Sequence, residues 1–362
     1  MTVNQESVAQ MYADLKQKLG KFVPDVELRY KAELAVEINR LKKEKNAIIL
    51  GHNYMEPVLY HAVPDYRGDS LYLSRIAAQT DADIIIFCGV EFMAETAKIL
   101  NPNKTVLLPA AKAGCSLAAS ITAEDVRQLK ARFPGVPVVT YINTYADVKA
   151  ESDICCTSGN AVAVIQALPN EQVIFLPDEY LARNVAQETG KTIITPPRHS
   201  GGPDRQANVQ FWEQAVQSPI SQMVGWNGRC EVHERFTVED IEMVRAQFPD
   251  VAVVTHPECS PEVVAASDYS GSTTQMIQFV RNSNAPHYLV LTECSMGDNI
   301  AAENPDKELL RLCSIRCPHM NQITLEDTLA ALQYNRYEIN VPEDIRLRAH
   351  QAVSRMLLYT NK

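Results

Sequence analysis

Along this chain of 362 residues, apolar positions gather into short unbroken runs separated by longer amphipathic stretches. The runs are Ala47-Ile48-Ile49-Leu50, Ile84 to Phe87, Val106-Leu107-Leu108, Val138-Val139, Val173-Ile174-Phe175, Val253-Val254 and Leu289-Val290-Leu291. Continuous β-branched runs of this length suit strands covered on both faces, as in parallel sheets, rather than strands with one wet face. Between them, residues 122–132, 160–167, 237–247 and 324–334 predict helices. Residues 6–45 predict a charged helical leader, with Leu34, Ile38 and Leu41 at i, i+4 and i+7 on one face. The alternation predicts an α/β fold of small parallel sheets flanked by helices.

The chain also repeats itself. Cys115, Cys230 and Cys317 each open the pattern Cys-x6-Thr-x-Glu-Asp, completed by Thr122, Glu124 and Asp125, by Thr237, Glu239 and Asp240, and by Thr324, Glu326 and Asp327. The first two copies continue at a constant offset of 115 (230 − 115), matching Phe133-Pro134 to Phe248-Pro249, Asp153 to Asp268 and Asn184 to Asn299. A repeat of this length implies equivalent local structure in each copy. The expected architecture is three pseudo-three-fold-related α/β domains around a central metal cluster. Its parts are a leader (1–45), a first unit (46–114, completed by a C-terminal helical segment, 317–362), a second (115–228) and a third (229–316). Residues 192–225, with Pro196-Pro197, Gly201-Gly202-Pro203 and Trp212, break the symmetry and read as an insertion in the second unit.

Thr122, Thr237 and Thr324 are expected helix N-caps before acidic first turns. Capping accounts for Thr-x-Glu-Asp but not for a cysteine seven residues upstream of the threonine in every copy. Cys88, inside an apolar run, reads as core, and Cys155, Cys156, Cys259 and Cys294 have no counterparts in the repeat. Cys313 competes with Cys317, but Met320 rather than Thr stands seven residues after it.

Ligands of α/β proteins sit beyond the carboxyl ends of the strands. At those ends stand His52 and Tyr54, Tyr141 and Asn143, and His256 and Glu258, the last two pairs again related by 115. Three matched pairs, each one residue apart, mark an active-site floor. Ser158 and Thr273, also 115 apart, and Ser70 fall near predicted helix N-termini, where backbone N–H groups and a small hydroxyl suit an anion. Zinc in structural sites takes four ligands from closely spaced pairs, and the chain has no Cys-x2-Cys. A four-iron cluster normally takes four thiolates; with three, one iron stays open as a Lewis acid. An open iron beside His, Tyr and Glu suits dehydration of a polycarboxylate-like molecule.

Lys and Arg number 34 against 44 Asp and Glu, a net charge of −10, which argues against a nucleic-acid binder. The polar Met1–Glu6 start has no secretion-signal core, and no apolar run is long enough for a bilayer. Nine cysteines without a signal point to thiols or metal ligands rather than a disulfide framework, and the expected compartment is the cytosol.

Taken together, several strings resemble the quinolinate synthase family over nearly the whole chain. They are Gly51-His52-Asn53-Tyr54, Gly68-Asp69-Ser70-Leu71, Phe87 through Lys98, Ala113-Gly114-Cys115-Ser116-Leu117, Tyr141-Ile142-Asn143-Thr144, Cys230-Glu231-Val232-His233, His256-Pro257-Glu258-Cys259, Gly271-Ser272-Thr273 and Cys317-Pro318-His319-Met320. The resemblance implies condensation of iminoaspartate with dihydroxyacetone phosphate, releasing phosphate and two waters on the route to NAD. It also implies a 4Fe-4S cluster on Cys115, Cys230 and Cys317, with one open iron. Matching substrate-binding positions are His52, Ser70, Tyr141, Ile142, Asn143, Ser158, His256, Pro257, Glu258 and Thr273, and Tyr54 and His233 match further active-site positions. Glu258 with His52 is expected to move protons, Tyr54 and Tyr141 to donate to or gate the intermediate, and the three hydroxyls to hold carboxylate or phosphate. A transient contact with an aspartate-oxidising enzyme would shorten the life of a free imine. The alternatives are an iron-sulfur redox sensor, which would not need the strand-end His, Tyr and Glu, and another cluster-dependent hydro-lyase. Two departures stand out: the 115-residue spacing exceeds that of compact family members, and Cys313-x3-Cys317 suggests a redox-active pair.

Overall fold

The computed structural model describes residues 5–198, 208, 210–213 and 222–359. Among the described residues, thirteen strands form three sheets, and every strand pairing within them is parallel. The first sheet has the order β2-β1-β3-β4, from Tyr66–Gly68, Ala47–His52, Ile84–Cys88 and Thr105–Leu107. The second is β6-β5-β7-β9-β8, from Ile154–Cys156, Val138–Tyr141, Val173–Leu176, Met223–Gly225 and Ile193–Ile194. The third is β11-β10-β12-β13, from Tyr269–Ser270, Val251–Thr255, His287–Leu291 and Glu308–Arg311. The seven apolar runs all lie in strands or directly against them, and β3 and β7 bury nearly every side chain, as two-sided coverage requires.

One hydrogen-bonded clip recurs in all three units and shows why the repeat folds alike. Asp65, Asp153 and Asp268 each accept, at 2.8 Å, the backbone N–H of Ile49, Val138 and Val253 in the unit's first strand. The N–H of each aspartate donates back to the carbonyl of the same residue. The reciprocal pair fixes the register of the short edge strand that follows each aspartate. The threonine caps form as expected, with Thr122, Thr237 and Thr324 accepting from the N–H of Asp125, Asp240 and Asp327.

The leader is two helices rather than one, Gln5–Leu19 and Asp25–Glu44, interrupted at Gly20 and Pro24. Of the C-terminal segment, helix Leu325–Tyr334 packs against helix Asp25–Glu44 of the leader and β3 of the first unit. Helix Glu343–Met356 lies against helix Glu91–Leu100 of that unit and also against helix Ala146–Ala150 and β6 of the second. Residues 192–225 do not sit wholly outside the core. Their ends supply β8 and β9, and Trp212 is buried with Phe133, Ile174 and Trp226. By the offset, β8 corresponds to β13 (308 − 193 = 115), yet β9 takes the place beside β7 and pushes β8 to the edge. Gly201-Gly202-Pro203 lie outside the described residues.

Candidate active site

The strand-end pairs of the three units meet in one cavity. It is lined by His52, Tyr54, Ser70, Tyr141, Ile142, Asn143, Ser158, His233, His256, Glu258 and Thr273, and by the three cysteines Cys115, Cys230 and Cys317. Pro257 alone among the expected residues faces elsewhere, because its carbonyl is turned back to accept from Asn184 Nδ2 at 2.8 Å.

Each unit holds the strand-end loop of the next. Asn184 in the second unit donates to the carbonyls of Pro257 and Cys259, just after His256. Asn299, its 115-offset equivalent, donates to the carbonyls of Asn53 and Met55, just after His52. Glu95 of the first unit accepts from the N–H of Ala146, beyond the Tyr141–Thr144 loop. The buried Lys149 ammonium donates to the Thr144 carbonyl from within that loop's own unit.

The same turn fixes two histidines. The N–H of Tyr54 reaches His52 Nδ1 at 3.3 Å, and the N–H of Glu258 reaches His256 Nδ1 at 3.3 Å. Each Nδ1 therefore accepts, so the proton of the neutral ring sits on Nε2. His256 Nε2 lies 3.1 Å from Ser158 Oγ and donates to it. Burial, aided by His256, pushes His52 down to about 3, so it is neutral over the physiological range. Burial pushes the Glu258 carboxyl up, but His233 and His256 outweigh it and hold it below the usual carboxylate range. Its Oε1 accepts from Asn143 Nδ2 at 3.3 Å, and Oε2 lies 2.8 Å from His233 Nδ1. The His233 and His256 rings stack at 4.6 Å. Burial and Glu258 raise both Tyr54 and Tyr141, which keep their protons.

Ser70 and Thr273 are the first residues of their helices, but the caps are Asp69 and Ser272. Their hydroxyls are thus not consumed by capping; Thr273 Oγ1 accepts from Asn53 Nδ2 at 2.9 Å. Ser158 precedes the cap Asn160 of helix Ala161–Ala167 by two residues.

Each cavity cysteine stands just before a 3-10 turn, Ala118–Ser120, His233–Arg235 or Met320–Gln322. The N–H groups two and three residues on point at the sulfur in all three: Leu117 and Ala118, Val232 and His233, His319 and Met320. Such donors stabilise a thiolate. Without a cation, burial pushes Cys115 up to about 12, Cys317 to about 11 and Cys230 well up. Donors built for thiolates in a site that otherwise disfavours them suit a metal centre. Among the described residues, Cys230 stands with His233 and Glu258 as donors close enough for a single ion, and Cys115 and Cys317 are not part of that group.

Several contributors escaped the sequence reading. Thr292 Oγ1 joins the Tyr54 hydroxyl at 2.6 Å to His233 Nε2 at 2.9 Å. Asp178 lies against the N–H of Cys230 and Glu293 against that of Cys317. These two acids are 115 apart, a signal present in the sequence. Phe92 and Met93 supply an apolar wall. Cys313 is not paired with Cys317: it forms a disulfide with Cys294, whose Cα lies 5.1 Å away. One disulfide therefore accompanies the free thiols, among which Cys88 is buried core as expected.

Fold and cavity define an α/β enzyme of pseudo-three-fold build, with one thiol from each cysteine loop facing a shared pocket. The chain belongs to the quinolinate synthase family: the family model described as Quinolinate synthetase A protein (NadA) matches residues 36–358. It is 48% identical over 357 residues to Quinolinate synthase 2 of Mesorhizobium japonicum, covering 99% of each chain. To the Quinolinate synthase of Agrobacterium fabrum it is 47% identical over 356 residues, 98% of this chain and 93% of that one. To that of Xylella fastidiosa it is 49% identical over 320 residues, 88% and 85% of the two chains.

Proposed function

We propose that this protein condenses iminoaspartate with dihydroxyacetone phosphate to quinolinate, releasing phosphate and two waters, in NAD biosynthesis. The observation that carries this reading is the meeting of three strand-end pairs and three thiols in one buried cavity. The cofactor is a 4Fe-4S cluster held by Cys115, Cys230 and Cys317, whose open iron supplies a Lewis acid for a substrate oxygen.

The remaining chemistry belongs to side chains. The Nε2–H of His52 and the hydroxyls of Ser70, Ser158 and Thr273, with Ser158 oriented by His256 Nε2–H, bind substrate carboxylate and phosphate oxygens. Glu258, a carboxylate between two imidazoles, takes a proton from one triose carbon and returns it to the neighbouring carbon in the isomerisation; in dehydration it takes a carbon-bound proton and returns it to the departing hydroxyl, which leaves as water. The Tyr54 hydroxyl, held by Thr292 and His233, donates to the intermediate, and Tyr141 gates it from the wall of the same cavity. Ile142, Phe92 and Met93 keep water from the imine. Among the described residues no helix is long and apolar enough to cross a membrane. The cytosol is the compartment we assign, and a transient hand-off from an aspartate-oxidising enzyme would limit imine hydrolysis.

The test is anaerobic protein supplied with both substrates, with quinolinate, iron and sulfide measured on one sample. Product with about four irons per chain, both lost in Cys115→Ser, is the expected result. An intact cluster without product would refute the activity, and absence of iron after strictly anaerobic reconstitution would refute the cofactor.

A further inference from the structure

Among the described residues, one group of side chains offers ligand atoms close enough for a single metal ion, and it is not the three cysteines. Cys230, His233 and Glu258 present one ligand atom each, all within 4.8 Å of one another. His233 and Glu258 are 1% and 3% exposed, and Cys230 is half-buried. His233 Nδ1 lies 2.8 Å from Glu258 Oε2, yet it is buried without a well-directed hydrogen bond. A contact that close but off-axis is the spacing of two ligands around a common ion.

The surroundings match a metal-binding histidine. His233 Nε2 lies 2.9 Å from Thr292 Oγ1, which is 2.6 Å from the Tyr54 hydroxyl. Metal-bound imidazoles are oriented by such a partner on the far nitrogen, leaving the near one for the ion. Charge also balances. A thiolate, a carboxylate and a neutral imidazole around a divalent cation sum to zero, which a buried site requires. One sulfur, one nitrogen and one oxygen suit Zn2+ with a fourth position open to the cavity. On the same donors Fe2+ binds more weakly.

We propose that Cys230, His233 and Glu258 form a preorganised site for one divalent ion of the Zn2+ type in the cluster-free chain. The ion and the cluster exclude each other because both use Cys230, a consequence that rests on reading Cys230 as a cluster ligand. The chain thus has two metallation outcomes. A single borderline ion caught before cluster assembly blocks both the cluster and the acid–base pair.

Co2+, whose thiolate charge-transfer band reports sulfur ligation, is the probe, titrated into full-length, anaerobically prepared, cluster-free protein. One Co2+ per chain with that band is expected, and bound Co2+ prevents cluster reconstitution until a chelator removes it. Cys115→Ser, unable to build the cluster, binds Co2+ as wild type does. His233→Ala loses Co2+ affinity by more than about tenfold yet still assembles a cluster, which also certifies its fold. Absence of the thiolate band, loss of Co2+ binding in Cys115→Ser, or wild-type affinity in His233→Ala overturns the proposal. Failure of wild type to assemble any cluster would instead strike the cofactor assignment and leave the Co2+ result standing.

Discussion

Replacing Glu258 with Gln converts one carboxylate oxygen into an amide nitrogen and leaves nearly everything else in place. The bond from Asn143 Nδ2 to Oε1, 3.3 Å, survives because the amide keeps an oxygen there. The new NH2 takes the place of Oε2, 3.3 Å from His256 Nδ1, already an acceptor, and 2.8 Å from His233 Nδ1, which becomes one when the ring proton moves to Nε2. Volume is conserved, so no cavity opens, and the structural cost is about 1 kcal/mol, that of one rearranged hydrogen bond. The chemical cost is larger. A positioned general base contributes about 10²–10⁴ in rate. That corresponds to about 2.7–5.4 kcal/mol of barrier at 1.36 kcal/mol per decade. In anaerobic turnover with both substrates, Glu258→Gln should lose that factor in kcat while iron and sulfide per chain stay at wild-type values. Wild-type turnover with an intact cluster would refute the acid–base role. Parallel loss of iron and activity would refute it too, by making Glu258 a support of the metal centre.

Four further outcomes follow from the geometry. Asn299→Leu strips the buried carbonyls of Asn53 and Met55 of their donor, about 1–3 kcal/mol each, and should lower kcat/KM with the iron count unchanged; wild-type kinetics would show that the loop needs no such hold. Cys313→Ser should keep full iron content, because its partner is Cys294 rather than Cys317, and should lose about 3 kcal/mol of stability only in oxidised protein, as expected for a link 19 residues apart. Trp212→Ala should destabilise by about 3–5 kcal/mol in urea unfolding, since the ring is buried against Phe133; a change below about 1 kcal/mol would make residues 192–225 a surface excursion. His52, pushed down to about 3, refuses a proton that the unfolded chain accepts near its ordinary value, so stability falls as pH drops below about 6.5. Between pH 7.5 and 5.5 wild type should lose about 1.4 kcal/mol more than His52→Gln, measured by urea midpoints.

The strands that were legible are those whose burial is written in their own side chains. Ile84 to Phe87 admits few alternatives to a strand covered on both sides. Tyr66–Gly68 and Tyr269–Ser270 carry no such run, because an edge strand of two or three residues is defined by its partner's backbone. The leader's break was written at Pro24, but the helical periodicity on either side hid it. In the site, the cysteines and strand-end pairs were legible because a repeat makes position informative without any contact. Thr292 was not, since its importance lies in two distances, to Tyr54 and His233, that no spacing encodes. Cys294 and Cys313 were unreadable as a pair for the same reason. Asp178 and Glu293 were readable in principle, as two acids at the repeat offset, but each is meaningful only beside the cysteine whose N–H it faces.

Repetition also explains how one chain arrives at an asymmetric site. Asn143 and Glu258 occupy the same repeat position in successive units, and their side chains meet at 3.3 Å. Ser116 and Glu231, each directly after a cavity cysteine, are likewise 115 apart and meet at 2.8 Å. Residues at equivalent positions touch only near the pseudo-axis, so that axis is where substitution in one copy changes the surroundings of another. There the first position of each pair became His52, Tyr141 and His256, and the second Tyr54, Asn143 and Glu258. The scaffold kept its symmetry where backbone geometry matters, in the Asp65, Asp153 and Asp268 clips and in the matched donations from Asn184 and Asn299. Because each unit's side chain holds the next unit's loop, no strand-end pair is positioned by its own unit alone. A disturbance in any one unit should therefore be felt first as lost geometry at its neighbour's strand-end pair, before any loss of the fold.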